Sequence, residues 1–227
     1  TGEFDFKPGA VFCNLFLADE INRTSSKTQS ALLEAMEEGA VTVDSVTRKL
    51  PDPFIVLATQ NPSGSAGTQL LPESQLDRFM IRLSMGYPTV GEETEILKAK
   101  SSKKAAPRVE PIMTAQDLIE IRGAAEDVFV SDEIYDYIAR LSGATRSDRR
   151  LELGVSTRGS LAAAAMAKCA AMFKGRNFVI PEDVTFVYTD VCAHRIIPAR
   201  VKGKLPSDIE VREILCDICR GVTPPKI

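Results

Sequence analysis

The sequence predicts an α/β fold in which a parallel β-sheet core is followed by an all-α region. Two runs, residues 11–18 and 54–59, are apolar without alternation, which is typical of strands buried on both faces of a parallel sheet. From residue 114 onward the patterns are almost wholly helical, with capping hydroxyls before apolar positions three and four apart.

Two adjacent carboxylates, Asp19 and Glu20, end the first apolar run. The carboxyl ends of strands line the ligand crevice of open α/β sheets, so acids there are placed for chemistry. Adjacent strand-end residues point in different directions. One carboxylate can therefore address a bound Mg²⁺ while the other reaches a water, as nucleotide hydrolysis requires. The alternative, a polar stop after a core strand, stays open on these residues alone.

A helix and a hairpin are predicted between the two strands. Hydroxyls at residues 24–26 can cap a helix that Gly39 closes. A polar turn at Asp44 and Ser45, flanked by apolar residues, predicts a β-hairpin.

An amide, Asn61, follows the second strand. Pro62 biases Asn61 away from the helical region, so its side chain is expected at the same crevice edge as Asp19. An amide there can orient a water or a phosphate oxygen. A turn-forming Asn before Pro is the alternative.

Arg78 follows a Gly- and Ser-rich stretch, residues 63–73, that is expected to be a mobile loop. We predict a short strand at 80–83 immediately after it. Asp77 can pair with Arg78 at the surface, which would contribute about 0 to 1 kcal/mol. A guanidinium that instead reaches the γ-phosphate of a neighbouring subunit contributes roughly 10³ to 10⁵ in rate.

The second half is predicted to be helical. Residues 92–100 form a helix and 101–111 a solvated linker. Arg158 begins an alanine-rich helix, where the dipole disfavours a cation and so hints at an anionic ligand; a surface charge is the alternative. The helices are expected at residues 114–127, 131–141, 158–173, 181–194 and 208–220.

Composition excludes several classes of function. The 227 residues are 44% hydrophobic and 26% charged, with no apolar run near the roughly 20 residues of a membrane span. A net charge of −3 gives no global case for nucleic-acid binding. The odd number of cysteines argues for reduced, buried thiols in a cytosolic protein. Cys216 and Cys219 lack a second ligand pair, and His194 is the only histidine, so we expect no zinc site.

With these residues in place, the chain resembles an AAA+ ATPase of the MoxR family. Five segments within the first 90 or so residues carry the resemblance: LADEINR (17–23), VTVD (41–44), ATQNP (58–62), LPESQLDRF (71–79) and LSMGYP (83–88). Further on, GVSTRGS (154–160) resembles the sensor 2 segment of that family, and VCAHRI (191–196) resembles a lid-helix ending. Thr157 stands where a Pro is common in the family.

The resemblance implies roles for five residues. Asp19 would serve Mg²⁺ in the Walker B motif, and Glu20 would polarise the attacking water. Asn61 would be sensor 1. Arg78 would be an arginine finger acting on the adjacent protomer's nucleotide, and Arg158 would contact phosphate from the lid of its own protomer.

The resemblance also implies a domain plan: a partial AAA+ nucleotide-binding core at 1–100, a linker at 101–111 and a helical lid at 112–227. No G-x-x-x-x-G-K-[ST] phosphate-binding loop occurs in the sequence. We therefore expect the carboxyl-terminal portion of a longer ATPase, inactive alone, with a sheet edge left for another segment to cover.

The function expected from the resemblance is a cytoplasmic ATPase that uses ATP and Mg²⁺ as a homo-oligomeric ring, expected to be a hexamer. It would remodel or mature partner proteins, including the von Willebrand A-type partners that the family implies. Two alternatives stay open: a non-catalytic assembly module, and a DNA-directed motor. The motor is disfavoured by the acidic balance and the lack of a basic, aromatic-rich stretch.

Overall fold

The computed structural model describes residues 6–60, 71–101, 109–200 and 206–226. Asn61, most of the predicted 63–73 loop and most of the predicted linker lie outside these ranges. In chain order the elements are β1 (Leu15–Ala18), a 3₁₀ turn (Ile21–Arg23), α1 (Ser26–Glu38), β2 (Ala40–Val43), β3 (Val46–Lys49), β4 (Ile55–Ala58), α2 (Glu73–Leu76), α3 (Val90–Ser101), α4 (Ala115–Glu126), α5 (Asp132–Ser147), β5 (Leu151–Leu153), α6 (Thr157–Phe173), α7 (Pro181–Cys192), β6 (Ile197–Pro198) and α8 (Asp208–Gly221).

The two predicted core strands pair in parallel, β1 with β4, with Leu15 opposite Ile55 and Ala18 opposite Ala58. Helix α1 connects to β4 through the hairpin, and residues of α1 and β1 line one pocket. Ser25 caps the start of α1, where its Oγ accepts from Thr28 N at 3.2 Å. Parallel pairing therefore brings the carboxyl ends of β1 and β4 to one edge, as the sequence predicted.

The prediction that these strands are buried on both faces is wrong. Leu15 and Leu17 are 59% and 62% exposed, and their register partners Ile55 and Leu57 are also exposed. The opposite face is half-buried against α1. In the part of the chain that the structure describes, no element covers the first face, so an apolar patch of four side chains remains on this sheet.

The hairpin prediction is confirmed. β2 and β3 pair antiparallel around Asp44 and Ser45, which both have positive φ angles, 51° and 62°. Two left-handed residues form the tight turn that suits the twist of a hairpin.

The strand predicted at 80–83 does not form. The segment has no regular secondary structure, and its backbone bonds to the helical region: Arg82 N donates to Asp190 O at 3.1 Å, and Arg212 Nη2 donates to Arg82 O at 3.3 Å. Because α7 and α8 satisfy these groups, the segment needs no partner strand.

The second half packs around α5, α6, α7 and α8. Three fully buried alanines of α6, Ala163, Ala167 and Ala171, leave room for the neighbouring helices to approach closely. The short antiparallel pair β5 and β6 is an addition that the sequence did not predict. Helix α5 runs beyond the predicted end at 141, because Ser142 and Thr145 are buried and hydrogen-bonded inside the domain.

The sequence predicted no membrane span, no zinc site and reduced cysteines. The observations on these points cover the described residues only. None of their helices is long and apolar enough to cross a bilayer. They contain no cluster of metal-ligating side chains. All five cysteines are free thiols, although only Cys192 is fully buried.

Candidate functional site

The first group of candidate residues lies at the carboxyl edge of the parallel strands. Thr59, one residue past β4, donates its hydroxyl hydrogen to Asp19 Oδ1 at 2.6 Å and accepts from Glu20 N at 2.8 Å. The main chains also meet here, since Thr59 N donates to Ala18 O and Ile21 N donates to Thr59 O, both at 3.0 Å. We call Asp19, Glu20 and Thr59 the sheet-edge group.

The partners of Thr59 fix its hydroxyl orientation. A carboxylate only accepts and a backbone N–H only donates, so the single hydroxyl hydrogen must point at Asp19. One Asp19 oxygen is thereby held toward the end of β4. Sequence reasoning assigned no role to Thr59, although its place at the end of the second apolar run is the signal that finds it.

Glu20 turns away from the path of β1. Its backbone is left-handed, with φ 48° and ψ 48°. A non-glycine residue there costs on the order of 1 to 3 kcal/mol and is concentrated at functional sites. Its carboxylate pairs with Arg23 at 3.1 Å, whereas Asp19 pairs with Thr59. The two adjacent acids thus have different partners.

The second group consists of the two candidate arginines. Arg78 Nη1 binds Glu37 Oε2, and Arg158 Nη2 binds Glu37 Oε1. One half-exposed carboxylate near the end of α1 therefore joins a guanidinium from each half of the chain. We call Arg78 and Arg158 the arginine pair. The pairing of Asp77 with Arg78 that we considered does not occur: Asp77 binds Arg195 at 2.6 Å.

Glu37 was not identified from the sequence. The available signal is that Glu37 and Glu38 occupy the last turn of α1, where the helix dipole disfavours negative charge. Two nearby cations offset that cost. Surface ion pairs contribute only about 0 to 1 kcal/mol each, so stability alone gives little reason for this arrangement.

The two groups lie at opposite ends of α1. The sheet-edge group is joined to the start of the helix through the 3₁₀ turn, whose Ile21 O accepts from Gln29 Nε2 at 3.2 Å. Glu37 lies in the last turn, roughly 17 Å farther along the helix axis. The arginine pair and the sheet-edge group of one chain are thus attached to different ends of this helix.

A buried histidine holds the segment after Arg78. His194, which follows α7 as predicted for a helix-end residue, hydrogen-bonds through Nε2 to Phe79 O at 2.9 Å. Because a carbonyl only accepts, Nε2 carries the proton. Burial lowers the pKa of His194 to about 4, and the neighbouring Arg195 and Arg82 act in the same direction.

This pKa predicts a stability loss in mild acid. His194 stays neutral when folded but takes up a proton near pH 6.5 when unfolded, so its contribution is complete above pH 6.5 and lost as pH falls toward 4. The complete loss, reached near pH 4, is about 3 kcal/mol. Urea unfolding at about pH 7.5 and about pH 5 measures the part that falls in this range, which is about 2 kcal/mol.

The variant His194→Gln isolates this effect, because a glutamine amide can donate to Phe79 O without titrating. We expect its free energy of unfolding to fall less between the two pH values than that of the wild type. If the free energy of unfolding falls equally with pH in the two proteins, His194 is not the cause of the loss.

Two family models match the chain. Residues 1–81 match the model described as ATPase family associated with various cellular activities (AAA), and residues 143–214 match the AAA lid domain. The first match contains Asp19, Glu20, Thr59 and Arg78, and the second contains Arg158.

Relatives from two bacteria resemble the chain over most of its length. The uncharacterised protein YeaC of Bacillus subtilis is 44% identical over 218 residues, which are 95% of this chain and 68% of YeaC. The chaperone MoxR1 of Mycobacterium tuberculosis is 40% identical over 204 residues, which are 86% of this chain and 54% of MoxR1. The chain thus spans between about half and two thirds of these relatives.

A solved structure shares the fold. The crystal structure of a Cytophaga hutchinsonii protein assigned as an ATPase superposes with a TM-score of 0.88 and 37% sequence identity. The superposition covers 99% of this chain and 70% of that protein. The arrangement of the parallel strands and the helical region is therefore shared with an experimental structure.

Proposed function

The chain belongs to the MoxR family of AAA+ ATPases, and from that premise we propose that it supplies the hydrolytic residues of a Mg²⁺-dependent ATPase. The observation that carries the proposal is the hydrogen bond of 2.6 Å by which Thr59 orients Asp19 at the carboxyl edge of two parallel strands. A polar stop after a strand needs no such orientation.

The sheet-edge group fits Mg²⁺. That ion keeps several waters and takes one or two carboxylates along with phosphate oxygens, which suits a single oriented Asp19. When bound, Mg²⁺ neutralises phosphate charge. Glu20, facing away from Asp19, polarises the attacking water. Asn61, which lies outside the described residues, serves as sensor 1 and orients that water or a phosphate oxygen.

We propose that the arginine pair acts on the nucleotide of an adjacent protomer. Both arginines bind Glu37 in the last turn of α1, whereas the sheet-edge group lies by the start of that helix, and this supports action on a nucleotide other than that of their own chain. Arg78 is thereby an arginine finger acting in trans, as the resemblance implies. Arg158 shares the contact with Glu37, which supports action on the same nucleotide; contact with phosphate in its own protomer, which the resemblance implies, is the alternative.

The arrangement in trans requires an adjacent protomer. We propose a homo-oligomeric ring, with a hexamer as the expected form, that couples hydrolysis to the remodelling or maturation of partner proteins in the cytoplasm. One relative, MoxR1, is named a chaperone. Proteins with von Willebrand A-type domains are the partners that the family resemblance favours.

A non-catalytic assembly module is the second candidate. Glu37 already pairs with both arginines within the chain, which favours it. ATP hydrolysis by the complete gene product in the presence of Mg²⁺ distinguishes the two candidates. Release of phosphate supports the ATPase, whereas assembly without any hydrolysis would support the module.

Replacing Thr59 by valine tests the orienting hydroxyl. Valine keeps the shape of threonine but cannot donate to Asp19, so we expect the Mg²⁺ concentration for half-maximal hydrolysis to rise about 10- to 100-fold. Thr59→Ser is the matched control, because it retains the hydroxyl and should behave as the wild type. An unchanged Mg²⁺ requirement in Thr59→Val would remove Thr59 from the site.

A further inference from the structure

A buried arginine from the helical region binds the segment that carries Arg78. The Arg195 side chain is only 1% exposed. Its Nη1 donates to Asp77 Oδ1 at 2.6 Å and to Asp77 O at 2.5 Å. Its Nη2 donates to Phe79 O at 2.6 Å and to Met80 O at 3.3 Å. Arg195 therefore holds the residues on both sides of Arg78.

The base of this guanidinium is fixed as well. Arg195 Nε donates to Val191 O, one turn earlier in α7, at 2.8 Å. A planar guanidinium with donors on all three nitrogens engaged has little freedom to rotate. The guanidinium therefore holds the Arg78 segment in a fixed position relative to α7.

Asp77, which Arg195 binds, also contacts the segment that carries Arg158. Ser156 caps the start of α6, since its Oγ accepts from Gly159 N at 3.1 Å. That hydroxyl donates to the Asp77 carboxylate, at 3.1 Å from Oδ1 and 3.0 Å from Oδ2. Asp77 thus joins the cap of the Arg158 helix to the neighbour of Arg78.

Gly159 leaves room for this arrangement. A Cβ atom at Gly159 would lie 3.0 Å from Arg195 Cδ and 2.6 Å from Val155 Cγ1. The Arg195 side chain therefore packs directly against the residue after Arg158. The residues flanking both members of the arginine pair meet at Arg195 and Asp77.

We propose that Arg195 and Asp77 are positioning residues that fix the distance between Arg78 and Arg158, so that both guanidinium groups reach the phosphates of one nucleotide. This inference rests on the proposed ATPase function. Neither residue contacts the nucleotide. Both residues act through Arg78 and Arg158. Asp77 directly links the segment that carries Arg78 to the segment that carries Arg158. The alternative is a purely structural role, in which Arg195 and Asp77 join the two halves of the chain and stabilise the fold without acting through Arg78.

A double-mutant cycle in the complete gene product separates these roles. The variants are Arg195→Lys, Arg78→Ala and their combination, with kcat for ATP hydrolysis as the readout. Lysine keeps the charge but cannot reach Asp77 and the 79–80 carbonyls together, so Arg195→Lys should lower kcat on the order of 10- to 100-fold. In the Arg78→Ala background the same change can act only through Arg158, so it should lower kcat by a clearly smaller factor than in the wild type.

One control and one alternative variant accompany the cycle. Arg220→Lys changes an exposed arginine on α8 and should leave kcat unchanged. Asp77→Asn is the second route to the test if Arg195→Lys does not fold, because it keeps the shape of the side chain while removing its charge. Thermal unfolding and ring assembly of every variant are measured alongside.

The outcomes are distinct. Non-additive losses of kcat support the positioning role. Additive losses, or full activity in folded Arg195→Lys or Asp77→Asn rings, overturn it and leave the ATPase proposal intact. If the wild type does not hydrolyse ATP, or if Arg78→Ala is as active as the wild type, the proposed function fails and the positioning role fails with it.

Discussion

Replacing Glu20 by glutamine in the complete gene product is expected to lower kcat for ATP hydrolysis by about 10²- to 10⁴-fold, because an amide cannot accept the proton of the attacking water. Nucleotide binding should persist, since Asp19 and Thr59 keep their contact of 2.6 Å. Phosphate release and equilibrium binding of ATP, measured on the same preparation, give the two values.

The matched control for this variant is Glu93→Gln, an exposed glutamate on α3, a helix with no buried residue. It makes the same chemical change outside the sheet-edge group and should hydrolyse ATP at the wild-type rate. Loss of the Glu20–Arg23 pair contributes little by itself, about 0 to 1 kcal/mol of stability. Wild-type turnover in Glu20→Gln would remove Glu20 from the hydrolytic role.

Replacing Arg78 by alanine should have an equal or larger effect, roughly 10³ to 10⁵ in kcat, because it removes a cation that stabilises charge developing on the transferred phosphoryl group. The activity should return in part when Arg78→Ala subunits are mixed with Glu20→Gln subunits. A mixed ring contains interfaces at which one subunit supplies an intact Glu20 and its neighbour an intact Arg78.

Mixing distinguishes action across an interface from action within a chain. If Arg78 serves the nucleotide of its own subunit, no site in the mixed ring has both residues, and activity stays at the level of the two variants. Absence of recovery at any ratio, with co-assembly verified, would therefore contradict the role in trans. Arg220→Ala, a matched change at an exposed arginine, should leave hydrolysis unaffected.

The parts of the site that follow from local pattern were predictable from the sequence. Apolar runs locate β1 and β4, and parallel pairing then requires that their carboxyl ends share an edge. Asp19 and Thr59 meet for that reason, 40 positions apart. The cap at Ser25 and the left-handed Gly39 likewise bound α1 through local chemistry.

The parts that depend on distant packing were not predictable. Arg158 and Glu37 are 121 positions apart, and Arg195 and Asp77 are 118 apart. No periodicity in the sequence pairs them, because their contact is set by how the helical region packs against α1 and the segment at 77–82. The exposed face of β1 was missed for a related reason: an apolar run indicates a strand but does not show which faces have a neighbour.

The central claim is that Asp19, Glu20 and Thr59 of one subunit and the arginine pair of the next meet at a single nucleotide. A structure of the assembled complete gene product with Mg²⁺ and a non-hydrolysable ATP analogue tests it most directly. We expect Arg78 of the adjoining subunit to leave Glu37 and lie about 2.7 to 3.2 Å from a γ-phosphate oxygen, opposite Asp19. A nucleotide bound away from Asp19, or an Arg78 that remains on Glu37 with no phosphate in reach, would contradict the claim.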